Sequence, residues 1–360
     1  FDNNGTFIIE RVFIGSPAEK AGVLPGDIIK TVDGVSTQGL TSDDLVDRVR
    51  GIENTVVTID FQRGEEVVTL EITRGVIKNT AFGKMIDEDT AYLEIYQFGE
   101  DTGSEVEQYM QLFKENNAKD IIIDLRDNGG GYLTTLEDIG SMFIPKDGIL
   151  IQQEIYSGEK LVSKSRGNII VDFEEIVLLI NENSASASEV LTAAIKENIE
   201  ATIIGVTTYG KGTVQQQHAF SDGSALKYTV AEWLTPNGNH INGVGINPDI
   251  VVDLHPVMHE IFTELTEEEA YGVDTVDDSV QDAQLALDFL GYNVDRTDGY
   301  FSTQTLSALE AYIRDYKLED EPIINKQLLD KLRSEVVRIW NVEKSEKDVQ
   351  LKKALELIND

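Results

Sequence analysis

Short apolar runs alternate with amphipathic stretches through the middle of the chain. Residues 120–125 and 175–180 are mostly apolar and rich in β-branched side chains, which is typical of buried strands. Residues 102–116 and 186–198 carry apolar side chains at helical spacing, so we predict a helix in each. Strands that alternate with helices predict an α/β core.

The N-terminal region has a different pattern, with strands closer together. We predict four strands and two helices there, at residues 6–13, 27–32, 55–63 and 66–74 and at residues 16–21 and 40–50. Ser16 is the expected N-cap of the first helix, Pro17 occupies its first position, and Gly22 ends it. This region is therefore predicted to be a small β-rich domain.

The C-terminal region follows an acidic stretch that is typical of a linker. Beyond it we predict helices at residues 280–290, 302–313, 325–340 and 345–358. The last of these carries Leu351, Leu355 and Ile358 on one face, which we expect to contact a partner subunit and to support a homodimer. The domains are thus predicted as residues 1–75, 76–265 and 272–360.

Composition excludes several classes of function. The 360 residues include 65 acidic and 30 basic side chains, for a net charge of −35, which argues against binding to nucleic acid or to anionic membrane surfaces. The chain has no cysteine, so it has no disulfide or thiolate–metal framework. No apolar run approaches the roughly 18 residues of a membrane helix. No signal peptide is visible after Phe1, and the loss of an export signal or anchor ahead of it stays open at this point.

A serine-rich segment lies at a predicted strand-to-helix junction. Residues 181–189 read Asn-Glu-Asn-Ser-Ala-Ser-Ala-Ser-Glu. A side chain at such a junction is exposed beside free backbone N–H groups, which suits a nucleophile and its oxyanion hole. On this reasoning Ser184, Ser186 and Ser188 are equal candidates. The alternative is an ordinary helix N-cap followed by good helix formers.

A serine nucleophile needs a base, and a lysine is the better candidate here. The four histidines lie outside the serine segment, at His218, His240, His255 and His259. Lys211 stands between two glycines, and Ser–Lys pairs are an established variant of the serine hydrolase arrangement. The base must be neutral, so we expect the strands at residues 175–180 and 201–206 to bury it. Gln215 could hold the amine without adding charge.

Two further motifs each have a functional and a plainer interpretation. Residues 126–131 read Arg-Asp-Asn-Gly-Gly-Gly after a predicted strand, and such glycines let backbone N–H groups face a ligand. The run lacks the spacing of dinucleotide-binding and phosphate-binding loops, and a flexible turn is the alternative. His255 and His259 have the i, i+4 spacing of metal ligands, but Pro256 and the absence of an accompanying glutamate favour surface histidines. We expect no metal, nucleotide or other cofactor.

The two catalytic segments resemble the C-terminal processing peptidases, also called tail-specific proteases, a Ser–Lys family. The matching residues are Ser-Ala-Ser-Ala-Ser-Glu (184–189) and Gly-Lys-Gly-Thr-Val-Gln (210–215). The resemblance implies that Ser186 is the nucleophile, Lys211 the general base and Gln215 the residue that orients the lysine. It also implies an oxyanion hole formed by the backbone N–H of Gly129 or Gly130 together with that of Ala187. The implied fold is a crotonase-like, Clp-protease-like ββα core.

The flanking regions resemble modules of the same kind of protein. Residues 15–29, Gly-Ser-Pro-Ala-Glu-Lys-Ala-Gly-Val-Leu-Pro-Gly-Asp-Ile-Ile, resemble the PDZ family, which binds peptide C-termini. The carboxylate-binding loop of that family would fall at residues 1–5, where we expect it to be missing or altered. Residues 298–301, Asp-Gly-Tyr-Phe, lie between two predicted helices and resemble a peptidoglycan-binding module. The alternative for this region is a helical packing or dimerisation module.

Together these features predict a serine endopeptidase that recognises the C-terminal region of protein substrates. The expected partners are protein C-termini, with peptidoglycan as a further one, and we expect no nucleic acid. By analogy with the family we expect the protein to work outside the bacterial cytoplasm. Two other functions stay open at this point: a non-catalytic peptide or wall adaptor, and an esterase or amidase that acts on small substrates.

Overall fold

The computed structural model describes residues 6–77 and 80–359. The chain divides into two compact units. The first unit combines residues 1–77 with residues 254–348, and the second combines residues 78–253 with residues 349–360. The chain therefore leaves the second unit once and returns to it with its last helix.

The N-terminal part of the first unit is a small antiparallel sheet with two helices. Its elements are β1 (Phe7–Ile8), α1 (Pro17–Ala21), β2 (Ile28–Val32), β3 (Val35–Ser36), α2 (Ser42–Val49), β4 (Val56–Arg63) and β5 (Glu66–Thr73). The strand order is β1-β2-β4-β5, with β3 paired to β2. The Ser16 hydroxyl accepts a hydrogen bond from Glu19 N–H, and Gly22 ends α1 at φ 88°. The predicted caps of this helix are thus confirmed.

The second unit is built on a largely parallel sheet, which confirms the α/β prediction. Its elements before the chain leaves it are β6 (Ala81–Met85), β7 (Thr90–Ile95), α3 (Thr102–Glu115), β8 (Asp120–Asp124), α4 (Leu133–Gly140), β9 (Ile149–Ile155), β10 (Lys160–Lys164), β11 (Ile176–Ile180), α5 (Ala187–Asn198), β12 (Thr202–Gly205), β13 (Thr213–Ala219), β14 (Ala225–Leu234) and β15 (Ile250–Val251). Six of these strands form a sheet in the order β15-β12-β11-β8-β7-β6, in which only β6 pairs antiparallel.

The serine segment follows β11, whose neighbour in the sheet is β8. They pair in parallel, with Ile121 opposite Ile176 and Asp124 opposite Leu179. Both strands therefore end at the same edge, and the loops that follow them lie side by side. The carboxyl ends of parallel strands are the usual location of sites in such sheets.

A second, antiparallel sheet in this unit has the strand order β10-β9-β14-β13. Strand β13 is at its edge, and most of its side chains are exposed. This strand begins two residues after Lys211 and carries Gln215. The sheet thus presents one of the predicted site residues on an exposed edge strand.

The C-terminal part of the first unit is mainly helical. Its elements are a 3-10 helix (Pro256–Met258), β16 (Ala270–Tyr271), α6 (Asp278–Phe289), α7 (Thr303–Asp315), β17 (Ile324–Asn325), α8 (Lys326–Val342) and α9 (Lys344–Lys347). The Asp-Gly-Tyr-Phe turn joins α6 to α7, where the Gln284 amide donates to Tyr300 O at 2.8 Å and accepts from Gly299 N–H at 3.1 Å. Ser302 caps α7 as predicted.

The last helix, α10 (Val349–Asn359), belongs to the second unit. Its residues Leu351 and Ala354 pack with side chains of the parallel sheet, namely Tyr92, Ile122, Val177, Leu179 and Ile204. The prediction that this apolar face contacts a partner subunit is wrong, because the chain's own sheet covers it. The homodimer stays a prediction. Among the described residues, no helix is both long and apolar enough to cross a membrane.

Candidate active site

The three serines at the junction of β11 and α5 have different surroundings. The Ser184 hydroxyl donates to Leu125 O at 2.8 Å, and the Ser188 hydroxyl donates to Asn128 O at 2.8 Å. Both of these serines are fully buried. The side chain of Ser186 is partly exposed. Ser184 and Ser188 thus bind the preceding loop, and Ser186 is the serine that a substrate can reach.

Ser186 has an unusual backbone conformation. It stands at the N-cap of α5 with φ 57° and ψ −115°. Residues with a side chain rarely adopt positive φ, and such strained positions are concentrated at functional sites. The conformation turns the chain sharply from β11 into α5. The first backbone N–H groups of α5, beginning with Ala187, have no partner within the helix.

The glycine loop of residues 126–131 packs directly against Ser186. Gly130 adopts φ +100°, and a Cβ atom built there would lie 2.9 Å from Ser186 Cβ and 2.8 Å from Ala185 O. No side chain fits in that space without displacing the serine segment. The glycine is therefore required by both its conformation and its close approach to Ser186.

The two candidate oxyanion donors in this loop differ in their hydrogen bonding. Gly130 N–H donates to Asn128 Oδ1 at 2.9 Å, and the Asn128 amide also donates to Ile95 O at 2.6 Å. Gly129 is exposed, and a Cβ atom there would have no neighbour within 4 Å. Within the described part of the chain, Gly129 N–H has no hydrogen-bond partner. In this conformation Gly129 N–H is open to a ligand and Gly130 N–H is not.

A buried carboxylate joins the serine segment to the lysine segment. Glu189 Oε2 accepts hydrogen bonds from Ser186 N–H at 2.8 Å and from Lys211 N–H at 2.9 Å. Its Oε1 accepts from Gly210 N–H at 2.7 Å and from the Thr208 hydroxyl at 2.6 Å. Glu189 is fully buried. The backbones of Ser186 and Lys211 therefore meet at one carboxylate oxygen.

Sequence reasoning missed this role of Glu189. In the sequence, Glu189 is an acid in the first turn of the predicted helix, where the helix dipole favours it. A serine followed three residues later by glutamate is a capping-box pattern, in which the glutamate reaches back to the N-cap N–H. That signal predicts the bond to Ser186. The bonds to residues 208–211 depend on the tertiary fold.

Lys211 is less enclosed than its expected role requires. Its side chain is exposed, so the expectation that the strands at 175–180 and 201–206 bury it is wrong. The neighbouring glycine backbone packs closely on another loop, because a Cβ atom at Gly212 would lie 2.1 Å from Asn242 N. This packing fixes the Lys211 backbone and leaves its side chain outside. Among the described residues, no carboxylate forms an ion pair with the Lys211 amine.

Gln215 does not hold Lys211 in this structure. It lies on β13 next to an irregularity in the pairing with β14, and its side chain is exposed. No hydrogen bond joins the Gln215 amide to Lys211 in the part of the chain that the structure describes. The structure therefore brings the backbones of Ser186 and Lys211 together but leaves Gln215 outside the group.

Three of the four histidines, including the pair considered as metal ligands, have other surroundings. His255 Nε2 lies 3.1 Å from Asp288 Oδ2, and His259 is exposed. His240 Nδ1 lies 3.0 Å from Glu232 Oε2. The described residues contain no group of three or more histidine, cysteine or acidic side chains arranged to hold a metal ion.

Three family models match separate parts of this chain. Residues 89–252 match peptidase family S41, residues 8–63 match the PDZ domain, and residues 276–332 match the peptidoglycan binding domain. The three modules follow one another along the chain in the order inferred from the motifs. The S41 match includes the glycine loop, the serine segment and the lysine segment.

Whole-chain comparisons agree with the family matches. A protein of Staphylococcus aureus strain N315, described as a CtpA-like serine protease, is 33% identical over 339 residues, which is 94% of this chain and 68% of the relative. A protein of Staphylococcus haemolyticus with the same description is 34% identical and covers 92% of this chain and 66% of its own length. A crystal structure of an S41 protease from Bacteroides fragilis shares the fold, with a TM-score of 0.54, 15% identity, and coverage of 72% of this chain and 74% of that one. The chain belongs to peptidase family S41 and is a CtpA-like serine peptidase with a PDZ domain and a peptidoglycan-binding domain.

Proposed function

We propose that this peptidase cleaves peptide bonds with Ser186 as nucleophile and Lys211 as general base, and that it acts on the C-terminal region of unstructured proteins. One observation carries the catalytic part of this proposal. The buried Glu189 carboxylate accepts hydrogen bonds from the backbone N–H groups of both residues. Because this buried carboxylate binds both the serine segment and the lysine segment, it strongly restricts the distance between them.

The reaction follows from these assignments. Ser186 Oγ attacks the carbonyl carbon of the scissile bond while Lys211 Nζ takes the hydroxyl proton. The C–N bond then breaks, and the lysine gives that proton to the leaving amine. Water hydrolyses the remaining ester of Ser186 with the lysine again as base.

The oxyanion that develops in the transition state needs backbone N–H groups that have no hydrogen-bond partner before the substrate binds. We assign this role to Gly129 N–H and Ala187 N–H, since the Gly130 N–H already donates to Asn128. Gly130 would instead provide the close packing that sets the distance between this loop and Ser186.

The exposed Lys211 side chain has a consequence for catalysis. A lysine base is active only as the neutral amine, and water stabilises the charged form. We propose that a bound substrate covers Lys211, and that Gln215 bonds to its amine in that state. The Lys211 amine would then be shielded from water only while a substrate occupies the site.

The proposed recognition of substrate C-termini, and the proposed location of the protein, rest on the PDZ domain and the peptidoglycan-binding domain. The PDZ domain would take the C-terminal end of the substrate and so control access to the active site. The carboxylate-binding loop of the PDZ family would fall at residues 1–5, where we expect it to be missing or altered, and these residues lie outside the described ones. The peptidoglycan-binding domain would hold the protein at the bacterial wall, outside the cytoplasm, where such a ligand is found.

The substrate assignment can be tested with one unstructured protein in three forms. The first form has a free C-terminus, the second has a folded domain fused to that end, and the third has the same domain fused to the N-terminus. We expect the C-terminal fusion to slow cleavage by about tenfold or more, equal to about 1.4 kcal/mol, and the N-terminal fusion to have little effect. The Ser186→Ala variant, which lacks the proposed nucleophile, serves as the negative control. Equal cleavage of all three forms would refute C-terminal recognition and leave the peptidase assignment intact.

A further inference from the structure

The loop that packs against Ser186 begins at a buried arginine. The Arg126 guanidinium donates from Nε to Asp124 Oδ1 at 2.9 Å and from Nη2 to Asp124 Oδ2 at 2.6 Å. The Tyr92 hydroxyl donates to Asp124 Oδ2 at 2.6 Å. Burial and the neighbouring carboxylate raise the pKa of Tyr92 well above its ordinary value, so this hydroxyl stays a donor. A two-bonded arginine–carboxylate pair fixes the orientation of the guanidinium.

A third bond to this arginine comes from the C-terminal helix. Arg126 Nη1 donates to Gln350 Oε1 at 2.9 Å. Gln350 lies in the first turn of α10 and is 1% exposed. Its other amide atom, Nε2, donates to Val252 O at 2.7 Å. Both ends of the Gln350 amide are therefore bonded inside the second unit.

The position of Gln350 in the chain is informative. Val252 is the second-last residue before the chain leaves the second unit, and Gln350 is the second residue after its return. The side chain thus joins the segment that follows β15, the returning helix and the arginine at the base of the glycine loop. Arg126 and Gln350 are 224 residues apart in the sequence.

Packing of α10 does not by itself require a glutamine at this position. Leu351 and Ala354 provide the apolar contacts of the helix with the sheet. A buried amide is unfavourable unless its polar atoms are bonded, and here they bind a charged donor and a backbone carbonyl. From Arg126 the chain passes Asn128, which accepts from Ser188, and reaches Gly130 against Ser186. A shift of the guanidinium therefore begins only a few residues before Gly130, which packs against the nucleophile.

We propose that Gln350 is a positioning residue for the peptidase reaction, which holds Arg126 and through it the loop of residues 126–131 against Ser186. The C-terminal helix is then a support for the active site as well as a cover for the sheet. This inference rests on the proposed function, because it assumes that the glycine loop supplies an oxyanion donor.

Two substitutions of Gln350, compared with one control, separate its bonds to Arg126 and to Val252. Gln350→Met keeps the length of the side chain and removes its hydrogen bonds to Arg126 and to Val252. Gln350→Glu keeps an oxygen for Arg126 and removes the donor to Val252 O. Lys352→Met, at an exposed position of the same helix, is the matched control. We expect kcat of the Met variant to fall by about tenfold, with KM changed by less than about twofold, as for an interaction that acts in the transition state. We expect the Glu variant to recover most of kcat and the control to equal the native chain.

Hydrogen exchange gives a second measurement that does not depend on activity. We expect amides of the loop at residues 126–131 to exchange faster in Gln350→Met, while those of β12 keep native rates. If the Met variant does not fold, Gln350→Asn replaces it, since the shorter amide keeps the polar groups and cannot reach both partners. Native kcat with native exchange in the loop would overturn the proposal. A loss of kcat that accompanies faster exchange throughout the sheet would also overturn it, because it would show a role in stability alone. If the native chain cleaves nothing, the proposed function fails, and the exchange measurement still decides whether Gln350 holds the loop.

Discussion

At the scale of single residues, the surroundings of the serines distinguish their roles. Ser184, Ser186 and Ser188 carry the same hydroxyl within five residues, and local sequence reasoning could not choose among them. The structure shows that two of the hydroxyls bond to carbonyls of the preceding loop. Such bonds form between segments that are distant in sequence, so no helix or turn pattern could have predicted them.

The two neighbouring glycines permit a matched test of the loop. We expect Gly130→Ala to lower kcat by about a hundredfold or more, because its methyl group would displace Ser186 or the loop. Gly129→Ala keeps the backbone N–H and meets no atom within 4 Å, so it should retain most of the native kcat. Steady-state cleavage assays measure kcat of both variants. Equal losses in the two variants would contradict the proposed division of roles.

Glu189 offers a second test at this scale. Glu189→Gln replaces one acceptor oxygen with an amide group that faces N–H donors, which leaves buried groups unsatisfied. We expect the free energy of unfolding to fall by about 1–3 kcal/mol and kcat to fall by about tenfold or more. Thermal unfolding and cleavage assays measure the two effects, with the exposed Glu200→Gln as control. Native kcat in Glu189→Gln would show that this carboxylate does not position the two segments.

At the scale of elements, the predicted strands and helices around the site are largely observed. The apolar runs at residues 120–125 and 175–180 form β8 and β11, and the helix after the serine segment runs to Asn198 as predicted. Periodicity fixes such elements because each buries one continuous face. The exposure of Lys211 was not foreseen, since it depends on how one glycine loop packs on another.

The packing of the last helix also could not be predicted from local sequence, and it provides a prediction at the scale of elements. Its apolar face was visible in the sequence, but the surface that covers it lies on strands more than a hundred residues earlier. We expect Leu351→Ala to lower the free energy of unfolding by about 2–4 kcal/mol, and exposed Lys352→Ala to have little effect. Denaturant unfolding measures the change. An unchanged unfolding free energy with a changed molecular mass in solution would indicate that the face binds another subunit after all.

At the scale of the whole molecule, the order of modules was accessible from motifs. The glycine loop, the serine segment and the lysine segment together indicated the family, and the family matches confirm it. The grouping of the chain into units was not accessible, because the first unit combines residues from both sides of the peptidase core. Chain connectivity of this kind leaves no trace in local periodicity.

The most direct measurement of the central claim is cleavage of one unstructured protein by the native chain, by Ser186→Ala and by Lys211→Ala. Ser224→Ala and Lys227→Ala, at exposed positions of the β13–β14 hairpin, serve as matched controls. We predict that the native chain and both controls cleave, that neither site variant does so measurably, and that all five chains unfold at similar temperatures. Cleavage by Ser186→Ala or Lys211→Ala at the native rate would contradict the account.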